Sequence, residues 1–97
     1  MKFNRIHIPV RFEQIVTEYE ETINQKCGGI AGLDRADVAV RQDSKSRDLI
    51  AFTFYDTMGN EPAKLDFEPG MSAQSVARDA LRMIMAAFIH TAGDRIQ

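Results

Sequence analysis

The sequence predicts an α+β domain of order (β)-α-β-β-β-α, with two helices packed on one face of an antiparallel sheet of three to four strands. Three observations carry that expectation. Apolar residues recur at helical spacing in two stretches, 10–27 and 72–90. Of three shorter stretches between them, 37–42 and 63–67 alternate apolar and polar residues with the period of a strand, and 48–56 is an apolar run rich in strand-forming residues. No segment rich in Pro, Gly or Ser divides these elements, so 1–97 reads as one domain.

Phe3 to Ile8 is a short strand candidate, with Ile6 and Ile8 on one side and Arg5 and His7 on the other. Pro9 ends it and confines it to a sheet edge, because proline cannot donate to a ladder. Pro9 equally suits the first turn of the next helix. That helix, Val10 to Cys27, lines up Phe12, Ile15, Val16, Tyr19, Ile23 and Cys27, with Glu13, Glu18, Glu20 and Glu21 on its outer surface. Gly28-Gly29 ends it, and Ile30 to Ala36 reads as a loop. Asp37 to Gln42 is a strand with Val38 and Val40 inward. Asp43 to Arg47 is a turn of residues that bond their own backbone. Asp48 to Asp56 carries apolar groups on both faces, the mark of a central strand. A turn at Met58-Gly59-Asn60 leads to a third paired strand through Ala63, Leu65 and Phe67.

Ser72 is placed to N-cap the last helix, and Met71 and Val76 have the spacing of a hydrophobic staple. Along Ser72 to His90, the residues Val76, Ala80, Met83, Ile84, Ala87 and Phe88 share one side. Gln74, Ser75, Arg78, Asp79 and Arg82 share the other, and Gly93 is placed to end the helix. The expected core brings Phe52, Phe54, Leu65, Phe67, Val38 and Val40 against Ile15, Tyr19, Ile23, Ala80, Ile84 and Phe88.

Composition narrows the function. With 44% hydrophobic and 27% charged residues, the 97-residue chain is an ordinary globular sequence. Such a chain buries roughly two-thirds of its extended surface. The formal charge of −2, from 12 basic and 14 acidic side chains, argues against a dedicated nucleic-acid binder. Cys27 is the single cysteine, so no internal disulfide forms and a reducing compartment is expected. The apolar run Met83 to Ile89 is far short of the about 20 residues a bilayer needs. The start, MKFNRIHIPVRF, has no apolar signal region, so a cytoplasmic protein without membrane attachment is expected.

His7, His90 and Cys27 fall on three different elements, with none of the short ligand pairs that mark a metal site. Gly28-Gly29-Ile30-Ala31-Gly32 follows a helix and precedes a strand, the reverse of a phosphate-binding loop. The glutamates of the first helix sit on its polar face, where a carboxylate stays solvated rather than becoming a catalyst. No catalytic residue, metal site or cofactor is therefore expected.

Gly70-Met71-Ser72 followed by Val76-Ala77-Arg78-Asp79-Ala80-Leu81, within the order α-β-β-β-α over Val10 to Phe88, resembles the double-stranded-RNA-binding domain. That family holds phosphates with a lysine cluster at the start of its last helix. Here the matching positions are Ala73, Gln74, Ser75, Val76 and Ala77. The resemblance implies that Lys45, Arg47, Arg78 and Arg82 would supply nucleic-acid contacts in their place.

The last helix is apolar nearly all round over its second half, because Met85 and Ile89 project among Arg78 and Arg82. Met85 and Ile89, rimmed by Arg78, Arg82 and His90, have the make-up of an interface: methionine at the centre, arginine at the edge. Met58 is a further apolar candidate, and a symmetric homodimer is the most economical way to cover such a ridge. The expected function is that of a small non-catalytic protein-interaction module, occluding or bridging a protein partner. It fits an accessory or inhibitor-type protein of the kind phage and mobile-element genes encode.

Overall fold

Alternation sends Ile50, Phe52 and Phe54 to one face of β3 (Asp48–Asp56), and all three are fully buried. The computed structural model describes residues 1–96, with side chains through Phe88. In chain order its elements are β1 (Lys2–Ile6), a single 3-10 turn (Val10–Phe12), α1 (Glu13–Cys27), β2 (Leu33–Gln42), β3, β4 (Ala63–Phe67) and α2 (Ala73–Ile96). They build a four-stranded sheet of order β1-β2-β3-β4.

The register carries the apolar face of β3 across the sheet. Val38 lies opposite Phe52 and Ala36 opposite Phe54, while β4 sets Phe67 against Ile50 and Leu65 against Phe52. Both helices close over this face. Val16, Tyr19, Ile23 and Cys27 of α1 and Val76, Ala77, Ala80 and Ile84 of α2 join one buried cluster with it. The helices-on-one-face arrangement expected from the sequence is the one observed. Leu65, Val40, Ile15 and Phe88 reach the cluster half-buried.

Two features differ from the expectation. The sheet is mixed, since β2, β3 and β4 are antiparallel while β1 pairs with β2 in parallel. Here α1 acts as a crossover, returning the chain to the end of the sheet from which β1 started. The register also decides which face of β1 turns inward, which its alternation left open: Phe3 pairs with Ala36 and Arg5 with Val38, so both lie on the helix side. Phe3 stands edge-on to Phe52, with centroids 6.2 Å apart. Arg5 turns its guanidinium to α1, reaching Glu20 at 2.6 Å and Thr17 at 2.9 Å. Ile6 is consequently on the open face, 42% exposed. The period of a strand is two, so one choice of face places every side chain. Finally, α2 runs past Gly93, since a helical glycine costs only about 1 kcal/mol against alanine.

The caps and turns are built from short polar side chains. Ser72 Oγ accepts the Ser75 N–H at 3.2 Å, the expected N-cap of α2. In the β2–β3 turn Asp43 accepts the N–H groups of Lys45 and Arg47, at 2.8 and 3.0 Å. In the β3–β4 turn Asp56 accepts those of Met58 and Asn60, each at 2.9 Å. Gly59 there has φ +85°, a left-handed conformation that suits glycine.

These bonds favour the charged carboxylates, so both titrate below the usual range, Asp43 through the Arg47 N–H foremost and Asp56 through that of Asn60. A depressed native pKa stabilises the fold above the unfolded value, and that contribution disappears as pH falls through the native one. Urea midpoints are therefore expected to be flat from neutral pH to about pH 5 and to fall below about pH 4. An Asp43→Asn, Asp56→Asn double variant should fall less steeply over that acid range.

Candidate functional site

The residues with chemical potential stand apart. His7 follows β1 in a left-handed backbone conformation, φ +50°, and is exposed. Cys27 is fully buried, and burial pushes its thiol pKa up. Glu13, Glu18 and Glu21 are exposed, as their helical face requires. Glu20 departs from that expectation, because Arg5 draws it half-buried against β1. Among the described residues no three His, Cys, Asp or Glu gather where they would hold a metal ion. A shallow cleft of about 200 Å³ lies between β1 and α1, lined by Met1, Phe3, Glu20, Glu21 and Asn24.

The outer stripe of α2 is more distinctive. At about 100° per residue, Arg78, Arg82 and Met85 fall within an arc of about 60°. Arg78 and Arg82 are exposed, and Met85 is 41% exposed. Ile89 and His90, assigned to the same ridge from sequence, lie outside the residues whose side chains are described. Met83 was expected on the core side, yet it is 46% exposed. It sits at the margin of the apolar arc, on the flank away from Ala77 and Leu81, and among the described residues none buries it.

Ion pairing singles out the same stripe. Arg5 pairs with Glu20, Arg11 with Asp48, Arg35 with Asp34, and Arg41 with Asp66. Arg47 pairs with Asp43 at 2.8 Å and with Glu68 at 3.6 Å. Among the described arginines only Arg78 and Arg82 hold no carboxylate. The other basic residues singled out from sequence, Lys45 and Arg47, occupy the β2–β3 turn. The Arg47–Glu68 contact brings that turn to the loop leading into α2, but it also offsets the charge of Arg47. Met58, 79% exposed, sits apart in the β3–β4 turn, whose Thr57 N–H bonds Gly32 O at 2.9 Å.

Sequence reasoning missed the polar order on the open sheet face. Asp37 accepts Asn4 Nδ2 at 3.2 Å and the Tyr55 hydroxyl at 3.0 Å. Arg35 lies 4.5 Å over the Tyr55 ring. This row ties β1, β2 and β3 together through polar and cation–ring contacts. Its signal in the sequence was the charged alternate set Arg35, Asp37 and Arg41 on β2. Searched against protein-family models, curated proteins and solved structures, the chain matches none.

Proposed function

We propose that this chain is a small non-catalytic protein-interaction module whose contact surface is the outer stripe of α2. The observation that supports this reading is the pair of carboxylate-free arginines beside an exposed methionine. An interface buries an adaptable apolar centre and surrounds it with arginine, whose planar fork bonds carboxylates in pairs. The complementary partner is a protein surface with an apolar patch edged by Asp or Glu. Binding through a rigid helix 24 residues long, about 36 Å, occludes or bridges a broad strip of that partner. An accessory or inhibitor-type role follows from this mode of action.

The test begins with a partner captured from the native host and then measured in purified form by calorimetry. Met85→Glu, and Arg78→Ala combined with Arg82→Ala, are each expected to weaken binding about tenfold or more. Thermal unfolding should stay unchanged, because these side chains are exposed. Unaltered affinity in both variants would overturn the reading. Duplex RNA titration is the counter-test, since the β2–β3 turn and the start of α2 lie at one end of the domain. Binding that survives moderate salt and is lost in the double arginine variant would favour an RNA-binding module with a fold like that of the double-stranded-RNA-binding domain.

A further inference from the structure

We propose that two copies of this chain join through β4, edge to edge and antiparallel, about a two-fold axis at Leu65. β4 is the last strand of the sheet, with β3 as its single neighbour. Among the described residues, no backbone hydrogen bond reaches Ala63–Phe67 from any element other than β3. Its outer row of N–H and C=O groups is thus open to another strand, the situation in which β-strands recruit a partner.

The sequence of the strand identifies that partner. Ala63-Lys64-Leu65-Asp66-Phe67 is self-complementary when inverted about its centre. Leu65 then meets Leu65 of the second copy on the helix side. Ala63 meets Phe67 there, small against large. On the open face Lys64 meets Asp66, and the two-fold axis makes the Ala63–Phe67 and Lys64–Asp66 matches twice. Directly opposed unlike charges stabilise a pair of strands, as like charges destabilise it. Lys64 is exposed and forms no ion pair in its own subunit, where its charge acts on Asp66 only as the lesser companion of Arg41, which Asp66 holds directly. Across the junction each Asp66 would lie between Arg41 of its own chain and Lys64 of the other. An edge lysine alone deters pairing; in this register it has a counter-ion.

The other edge lacks this property. Inverting β1 about Asn4 would set Phe3 against Arg5 and Lys2 against Ile6. The helices favour the same side. Arg5–Glu20 and the Met1 amino group on Asn24 at 2.9 Å tie α1 over β1. α2 packs on α1 and on β4, and Met83 on α2 stays exposed. Joining the edges would make a continuous eight-stranded sheet. The ladder is only five residues long, so this is a dimer of the weak, concentration-dependent class. It leaves the outer stripe of α2 free and does not depend on the function assigned to that stripe.

Sedimentation over a wide concentration range tests the proposal, with circular dichroism to establish that each variant folds. Wild type is expected to dimerise. Lys64→Asp and Asp66→Lys should each raise the dimer dissociation constant about tenfold or more, because each sets like charges opposite one another. An equimolar mixture of these two variants should dimerise again, since one chain then carries both negative charges and the other both positive. A chain that stays monomeric throughout would overturn the proposal. So would a dimer insensitive to both substitutions, or one lost on Met85→Glu but retained in Lys64→Asp.

Discussion

Replacing Phe52 by alanine is expected to lower the unfolding free energy by about 3–5 kcal/mol, the largest single effect in the chain. The ring is fully buried at the middle of the central strand. It meets Phe3 edge-on at 6.2 Å, stacks on Phe54 at 6.0 Å and stands against Phe67 at 6.1 Å. Its neighbours in register are Val38 and Leu65. One side chain therefore touches or faces residues from all four strands. Truncation leaves a cavity walled by rings that sit on separate strands, and a sheet held by its ladders has little freedom to collapse inward. A domain of this size has about 5–15 kcal/mol of stability in total, so the variant should melt at least about 12 °C lower. Urea denaturation followed by circular dichroism measures the loss. If the alanine variant does not fold, Phe52→Leu should still lose more than Leu65→Ala, whose site is only half-buried. A loss near zero for Phe52→Ala would mean that the aromatic centre does not organise the core.

How much of this was legible in advance follows from what each signal depends on. β3 was legible because Ile50, Phe52 and Phe54 alternate without interruption, and α1 because Val16, Tyr19, Ile23 and Cys27 repeat at helical spacing. Both patterns are local, and each reports one buried face. The direction of β1 is not local. It follows from the crossover through α1, which no residue of Lys2–Ile6 encodes. Which face of β1 turns inward is not local either, since Ile6 and Ile8 are the more apolar pair. Phe3 prevails because Ala36 leaves room for it, and Arg5 can sit on the helix side because Glu20 and Thr17 receive it. β2 begins earlier than its alternation implied, with an irregular register between Leu33 and Arg35 that breaks the period.

The candidate surface divides the same way. Exposure of Arg78, Arg82 and Met85 followed from the helical wheel. Their lack of carboxylate partners did not, because it depends on which acidic groups the fold brings near them. Met83 sat at the edge of the apolar arc, and a wheel cannot say which flank a second helix will cover. The inverted symmetry of Ala63–Phe67 was present in the sequence throughout. It acquired meaning only once β4 proved to be an edge.

Tyr19→Phe is expected to cost about 1–3 kcal/mol, although it removes a single oxygen. Tyr19 is fully buried, and its hydroxyl donates to Met71 O at 2.6 Å, with Glu68 O at 3.1 Å and Pro69 O at 3.3 Å alongside. These carbonyls belong to the loop that delivers the chain to the Ser72 cap. The hydroxyl of α1 thus fixes where α2 starts, and with it the direction of the whole outer stripe. Phenylalanine keeps the edge contact with Phe67, whose ring lies 6.5 Å away, so the substitution isolates the hydrogen bond from the packing. Burial, with the Glu18 charge beside it, raises the phenol pKa. The tie therefore holds through neutral pH and weakens only as alkaline titration passes the unfolded value of about 10. Beyond the loss of stability, amide exchange at Ser75 and Val76 should quicken, because their N–H groups bond Ser72 at the end of that loop. Exchange at Phe52 and Phe54 should change only by the global loss. Quickening spread evenly over the sheet would show that the hydroxyl supports the core as a whole; confined to the cap, it would identify Tyr19 as the anchor of α2.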